Sequence, residues 1–220
     1  MSSKTKVYNF KLFKRLLNYI KSYRYIFVIS IIFSSSSYAN TFQELYDNGL
    51  KAIKEGGNII FLRHAYAPRT VENGNHDKNY KDKVCSTQRD ILKEGIRQSK
   101  DIGNFVTKNN IKIDKVISSP ACRTYKTAKY AGWDYSINKN LKNTRKKSDQ
   151  EKRFKKIKKI VSKWDGKGNL VLVTHFKVIN PLFPGVKSDS GEMIISSPEL
   201  KLLGSCLLYT SPSPRDATLS

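Results

Sequence analysis

The 220-residue sequence predicts an α/β fold: a three-layer sandwich with a mostly parallel central sheet and helices on both faces. Short apolar runs of strand length alternate with longer segments of helical periodicity. Glycines close several of the helical segments. A hydrophobic fraction of 39% is enough to bury the core of one domain, which excludes wholesale disorder.

Taken in order, Phe42, Leu45, Tyr46, Leu50 and Ile53 fall at helical spacing, and Gly56-Gly57 end that helix. Asn58 to Leu62 is a short apolar run after glycines and reads as a buried strand. Pro68 to Lys83 is polar and reads as a long loop, of the kind that is functional or mobile in compact domains. Arg89 to Val106 reads as a helix with Ile91, Leu92, Ile96, Ile102 and Phe105 near one face. Ile113 to Ser118 is a second strand, and Pro120 to Ala131 a helix closed by Gly132. Tyr135 to Ile137 reads as a short third strand. Asp149 to Trp164 is a strongly basic helix with an apolar side of Phe154, Ile157, Ile160, Val161 and Trp164. Leu170 to Thr174 is a buried strand. Met193 to Ser196 and Leu200 to Leu203 read as a closing pair of strands. There is no internal repeat.

Both ends are set apart from this domain. Residues 1–39 hold seven Lys/Arg and no acid, with an apolar run from Tyr25 to Phe33 and a small-x-small end at Ser37-Tyr38-Ala39. A basic region, an apolar stretch and such an end make a signal peptide cleaved after Ala39. The apolar run is too short for a membrane span. An exported, periplasmic location is therefore expected. At the other end, Cys206 to Asp216 reads like a translated transposon adapter of the kind used in shotgun DNA sequencing. Residues 205–220 are thus expected to be a non-native tail, leaving 40–204 as the domain, with its C-terminus truncated.

The formal charge is +23, from 41 Lys+Arg against 18 Asp+Glu. Such a balance suggests nucleic acid or anionic membrane. Lys, Asn and Ile all have AT-rich codons, however, so base composition inflates the charge. No recognition motif or interleaving of aromatic and basic residues supports nucleic-acid binding. A weak attraction to an anionic membrane surface stays open, carried by the run Lys155-Lys156-Ile157-Lys158-Lys159, which otherwise is a solvated helix face. Two cysteines, Cys85 and Cys122, fall in the domain. In an exported protein a bridge between them is favoured over two free thiols.

Ligands of open α/β sheets bind beyond the carboxyl ends of the strands. Arg63 and His64 follow the first strand. Arg123 falls in the first turn of the helix after the second strand. Thr174-His175 ends the later apolar strand. Two arginines and two histidines thus converge on one sheet edge, a cationic pocket sized for one phosphoryl group. Arginine presents a planar fork matched to phosphate oxygens, and a helix N-terminus beside Arg123 adds N–H donors. Flanking guanidinium charge keeps an imidazole neutral and nucleophilic near pH 7, so it can take a phosphoryl group covalently. Neither histidine has a partner at metal-ligand spacing. No metal or cofactor is implied. His76 has no such context and reads as a solvated loop residue.

Four segments resemble the histidine phosphatase superfamily, the phosphoglycerate-mutase-like fold. Phe61-Leu62-Arg63-His64-Ala65 is similar to its LRHG signature. Ser118 to Ala128 (SSPACRTYKTA) is similar to its SSPxxRxxxTA segment. Leu92 to Ser99 is similar to its LTxxGxxQA helix, with one residue fewer before the glycine and with Lys93 and Ser99 off-pattern. Val173-Thr174-His175 is similar to the strand carrying its second histidine. The resemblance runs from about Asn58 to Ile195. It implies that His64 is the phosphorylated nucleophile and that Arg63, Arg123 and His175 complete the catalytic, substrate-binding pocket. The implied activity is that of an exported, metal-independent phosphatase acting on a phosphomonoester or related phosphoryl group.

Ala65 replaces the usual glycine. Phe176 follows His175, so the acid found there in the acid-phosphatase branch is absent. The mutase glutamate has no counterpart. The general acid is unassigned between Asp77 in the long loop and Glu192 in Ser190-Gly191-Glu192. The missing acid and the positive charge keep a second reading open: a non-catalytic binder of phosphorylated polymers or lipids on the same fold. Natural substrate and oligomeric state are not encoded in any readable motif.

Overall fold

A computed structural model describes residues 43–68, 80–82, 84–143 and 147–208. The segment 1–39 read as a signal peptide, Asp77, His76 and the residues beyond Leu208 lie outside the described residues. A helix α1 covers 43–55 and leads into strand β1, Ile59–Arg63. Helix α2 (Lys93–Lys108), strand β2 (Ile113–Ser118), helix α3 (Cys122–Tyr130) and the two-residue strand β3 (Ser136–Ile137) follow. Then come helix α4 (Lys147–Val161), strand β4 (Asn169–Thr174), helix α5 (Phe176–Leu182) and strands β5 (Met193–Ser196) and β6 (Leu202–Cys206).

The six strands form one sheet in the order β3-β2-β4-β1-β5-β6. β1, β2, β3 and β4 are mutually parallel; β5 and β6 add on antiparallel. Alternation along the strands splits the core in two. Ile60, Leu62, Val116, Val171, Val173 and Ile195 pack with Ile53 of α1, Ile102 and Val106 of α2, and Ala128 of α3. Ile59, Phe61, Leu170, Leu172 and Ile194 pack on the other face with Ile157 and Val161 of α4 and Val178 and Ile179 of α5. That is the expected three-layer, mostly parallel sandwich.

β4 is buried along its whole length because it is central and covered on both faces. Its polar first residue is fully satisfied. Asn169 Nδ2 donates to the Ile53 and Lys112 carbonyls at 2.7 and 2.9 Å, and its Oδ1 accepts from Asn58 N–H at 3.3 Å. This one side chain ties α1 and the starts of β1 and β2 to the middle of the sheet.

Three elements differ from the sequence reading. α2 starts at Lys93 instead of Arg89, because the residues before it are held by tertiary contacts: Arg89 donates to the Ala67 carbonyl, Asp90 pairs with Lys126, and Ile91 packs with Ala65 and Ala67. α5 was not expected. It is short and contains Pro181, which removes an amide donor to the Lys177 carbonyl. Gln150 of α4 supplies the missing bond, its Nε2 donating to that carbonyl at 3.1 Å. β6 starts at Leu202 because Leu200 has φ of 66°, a left-handed turn residue that cannot sit in a strand. At its far end Ser205 and Cys206 pair with Ile194 and Met193, so the ladder runs two residues into the segment assigned to the tail.

Candidate active site

β1 and β4 are adjacent and parallel, with Arg63 opposite Thr174. The next residues of each strand, His64 and His175, therefore emerge side by side. His64 N–H donates to the Thr174 carbonyl at 3.0 Å, extending the ladder by one step. The two rings lie edge to face with centroids 5.3 Å apart. Both are almost fully buried, at 4% and 2% exposure. Leu62 and Val173, two positions back on each strand, are buried behind them. The pocket is thus dry on the sheet side.

The tautomer of His64 follows from its ring's hydrogen bond. Nδ1 lies 2.8 Å from the Ala65 carbonyl oxygen, which can only accept. Nδ1 therefore carries the proton, and the lone pair of the neutral ring sits on Nε2. His175 Nε2 lies 3.1 Å from Ser119 Oγ at the end of β2. Ala65 in turn is fixed by Thr127 of α3, whose Oγ1 accepts from Ala65 N–H at 3.0 Å. The threonine near the end of the SSPACRTYKTA segment thus holds the backbone beside His64.

Burial pushes the His64 imidazole well below its ordinary value, and the charges of Arg123, Arg63 and Arg89 push the same way; the Ala65 carbonyl opposes them. Burial likewise depresses His175, followed by Arg123, then His64, Arg63 and Arg89. Both rings are neutral at pH 7. The linkage has a definite sign: each imidazole takes up a proton more readily unfolded than folded. Their contribution to stability is complete above about pH 6.5 and is lost as pH falls. The thermal midpoint is expected to drop between about pH 7 and pH 5, and to drop less in a His64→Gln/His175→Gln variant.

Arg123, in the first turn of α3, is 5% exposed and bears on both imidazoles. Arg63 Nη1 donates to the Ser188 carbonyl at 2.6 Å, and its guanidinium lies 5.3 Å from the centroid of the Phe176 ring. Phe176, where the acid-phosphatase branch carries an acid, flanks the Arg63 guanidinium instead. The helix-end donors are fewer than expected, since Cys122 N–H donates to Gln88 Oε1 at 2.9 Å. Guanidiniums carry the pocket.

Gln98 of α2 joins the two loops flanking the site. Its Oε1 accepts from Tyr66 N–H and its Nε2 donates to the Ser190 carbonyl, both at 2.8 Å. Gly95, one turn earlier, lets α2 approach: a Cβ there would lie 2.2 Å from the Tyr66 carbonyl oxygen. This gives the GxxQ pattern a physical reason.

Arg89 is the residue that sequence reasoning missed as a site group. Placed in the first turn of a helix, it had no reason to point at the pocket. In the non-helical segment before α2 it reaches the segment after His64, its Nη2 donating to the Ala67 carbonyl at 2.9 Å. Its position just ahead of the GxxQ helix was the available signal. Glu192 is buried and its Oε2 accepts from Asp189 N–H at 2.6 Å. Burial raises its carboxyl, and Arg63 is among the groups acting on it. Cys85 and Cys122 are joined in a disulfide with Cα atoms 5.6 Å apart.

No protein-family profile and no curated protein matches the chain. Solved structures do match. A single-residue variant of TTHB049 from Thermus thermophilus superposes with a TM-score of 0.50 at 14% identity, over 69% of this chain and 99% of that one. The protein histidine phosphatase SixA complexed with tungstate gives 0.49 at 13% identity, over 67% and 95%. Mycobacterial glucosyl-3-phosphoglycerate phosphatase complexed with VO3 gives 0.46 at 13%, over 63% and 91%. At such identities the likeness is one of fold. With sheet order, strand-end histidines and helical layers as described, the chain has the phosphoglycerate-mutase-like fold, the fold on which the histidine phosphatases are built.

Proposed function

We propose that this chain is an exported, periplasmic, metal-independent phosphatase that works through a phosphohistidine on His64. The observation that carries this reading is the His64 ring itself: buried, neutral, its Nδ1 proton held by the Ala65 carbonyl and its Nε2 lone pair beside His175 and the pocket arginines. Nε2 attacks phosphorus, the bond to the leaving oxygen breaks, and the leaving group departs with that electron pair. The positive charge arising on the phosphorylated ring is met by the Ala65 carbonyl. Arg63, Arg123 and His175 stabilise the equatorial oxygens. Water then attacks phosphorus, the P–N bond breaks, and its electron pair returns to Nε2.

Asp77 lies outside the described residues, and the Glu192 carboxylate is turned to the Asp189 amide. A pocket without an assigned acid suits substrates whose leaving groups depart unaided, such as acyl phosphates and phosphohistidine. Radiolabelled acetyl phosphate, quenched in alkaline detergent, is expected to leave label on the protein. The label should survive base, be lost in acid, and map to the peptide containing His64. Label that survives acid, or maps elsewhere, contradicts the mechanism.

One observation favours the second reading, a binder of phosphorylated polymers or anionic lipid. A cleft of about 520 Å³, away from the two histidines, has Lys115, Lys156, Lys159 and Lys163 in its lining against a single acid, Asp165. Salt-sensitive binding with no turnover would support it; hydrolysis that persists in chelator would exclude it as the sole function.

A further inference from the structure

The Cys85–Cys122 disulfide joins two short segments that each carry an arginine of the pocket. Arg123 is the residue after Cys122. Arg89 lies four residues after Cys85. Between Cys85 and Arg89 the backbone is a tight turn that satisfies itself: Thr87 N–H and Oγ1 both donate to the Val84 carbonyl, at 3.1 and 2.7 Å, and Gln88 N–H donates to the Cys85 carbonyl at 3.2 Å. A displacement of Cys85 is therefore passed on to Gln88 and Arg89. Gln88 is itself held on α3 by Cys122 N–H, and its Nε2 donates to the Lys81 carbonyl at 2.9 Å. Tyr125 Oη sits 2.9 and 3.1 Å from the two sulfurs. Asp90 pairs with Lys126 of α3. Every one of these attachments to α3 is noncovalent except the bridge.

We propose that the disulfide is a latch that holds Arg89 in place as a third phosphate-gripping guanidinium, so that the chain binds phosphate well only after the bridge has formed. The proposal rests on the phosphatase reading of the pocket and adds a condition to it. Arg89 already touches the backbone after His64 through the Ala67 carbonyl, and three guanidiniums around two neutral rings suit a phosphoryl dianion. Opening the latch is ordinary thiol–disulfide exchange. A thiolate attacks one sulfur and the S–S bond breaks to give a mixed disulfide. A second thiol then releases it. Two electrons and two protons from the dithiol leave two cysteine thiols. A precursor still in a reducing compartment would hold the two thiols apart from each other and have a loosened pocket. The same chain would gain phosphate affinity on reaching an oxidising one.

The test measures the dissociation constant for orthophosphate by calorimetry, alongside kcat and KM on p-nitrophenyl phosphate. The oxidised protein, the dithiothreitol-reduced protein and a Cys85→Ser/Cys122→Ser variant are compared, each with and without Arg89→Ala. Opening the bridge is expected to weaken phosphate binding and raise KM at least tenfold, with a smaller change in kcat. Arg89→Ala is expected to do the same in the oxidised protein and to add little once the bridge is gone. That non-additivity is what a purely structural bridge would not produce. Unchanged phosphate affinity in the oxidised Arg89→Ala protein overturns the proposal, whether or not the reduced form folds. Equal Arg89→Ala effects with and without the bridge overturn it too. Bridge-dependent phosphate binding without turnover in any form would keep the latch and remove the phosphatase reading.

Discussion

Replacing His64 with alanine is expected to abolish turnover of p-nitrophenyl phosphate, by a factor on the order of 10⁴ or more. The loss follows from the chemistry: without the Nε2 lone pair no covalent intermediate forms, and none of the described neighbours of this ring is a substitute nucleophile. His175 is the nearest imidazole, but its Nε2 is engaged with Ser119 Oγ. Emptying a buried position also disturbs packing, so His64→Asn is the better companion. Its amide can still donate to the Ala65 carbonyl, and it is expected to be as inactive as alanine while keeping the thermal midpoint closer to wild type. Full activity in either variant would end the phosphohistidine reading.

Arg123→Ala is expected to lower kcat/KM by roughly a thousandfold, the scale of one lost charge-stabilising donor group in a dry site. The residue is 5% exposed, and of the charges that depress both imidazoles its own is the largest. Removing it therefore has a second consequence that a mere loss of packing would not have. Both rings become easier to protonate, so the acid limb of the pH–rate profile moves toward neutral pH. Arg123→Lys separates the two effects. The charge stays, so the acid limb should stay where it is, but the planar fork is lost and KM should rise. An acid limb that does not move in Arg123→Ala would show that this guanidinium does not set the state of the rings.

The layered architecture was legible in the residues because apolar periodicity is a local signal. NIIFL and LVLVT are short apolar runs with hydrophobic residues facing both ways, so they had to be central strands between helices. The histidines and two of the arginines were legible as well, since a parallel sheet brings the residues after its strands to one edge whatever their separation in the chain. That argument places residues at an edge and says nothing of what each side chain touches.

Those contacts were decided only in three dimensions. Which nitrogen of His64 carries its proton depends on the Ala65 carbonyl, and the orientation of that carbonyl on Gln98 of α2, which holds the Tyr66 N–H of the same peptide group. Arg89 was hidden because helical periodicity continued through it, while tertiary contacts pulled residues 89–92 out of the helix. α5 was hidden for the opposite reason: local propensity spoke against a helix containing Pro181, and a side chain from α4 supplied the bond that proline removed. A pattern along the chain can predict what a segment does alone. Long-range hydrogen bonds, and the burial that strengthens them, settle what it does in company.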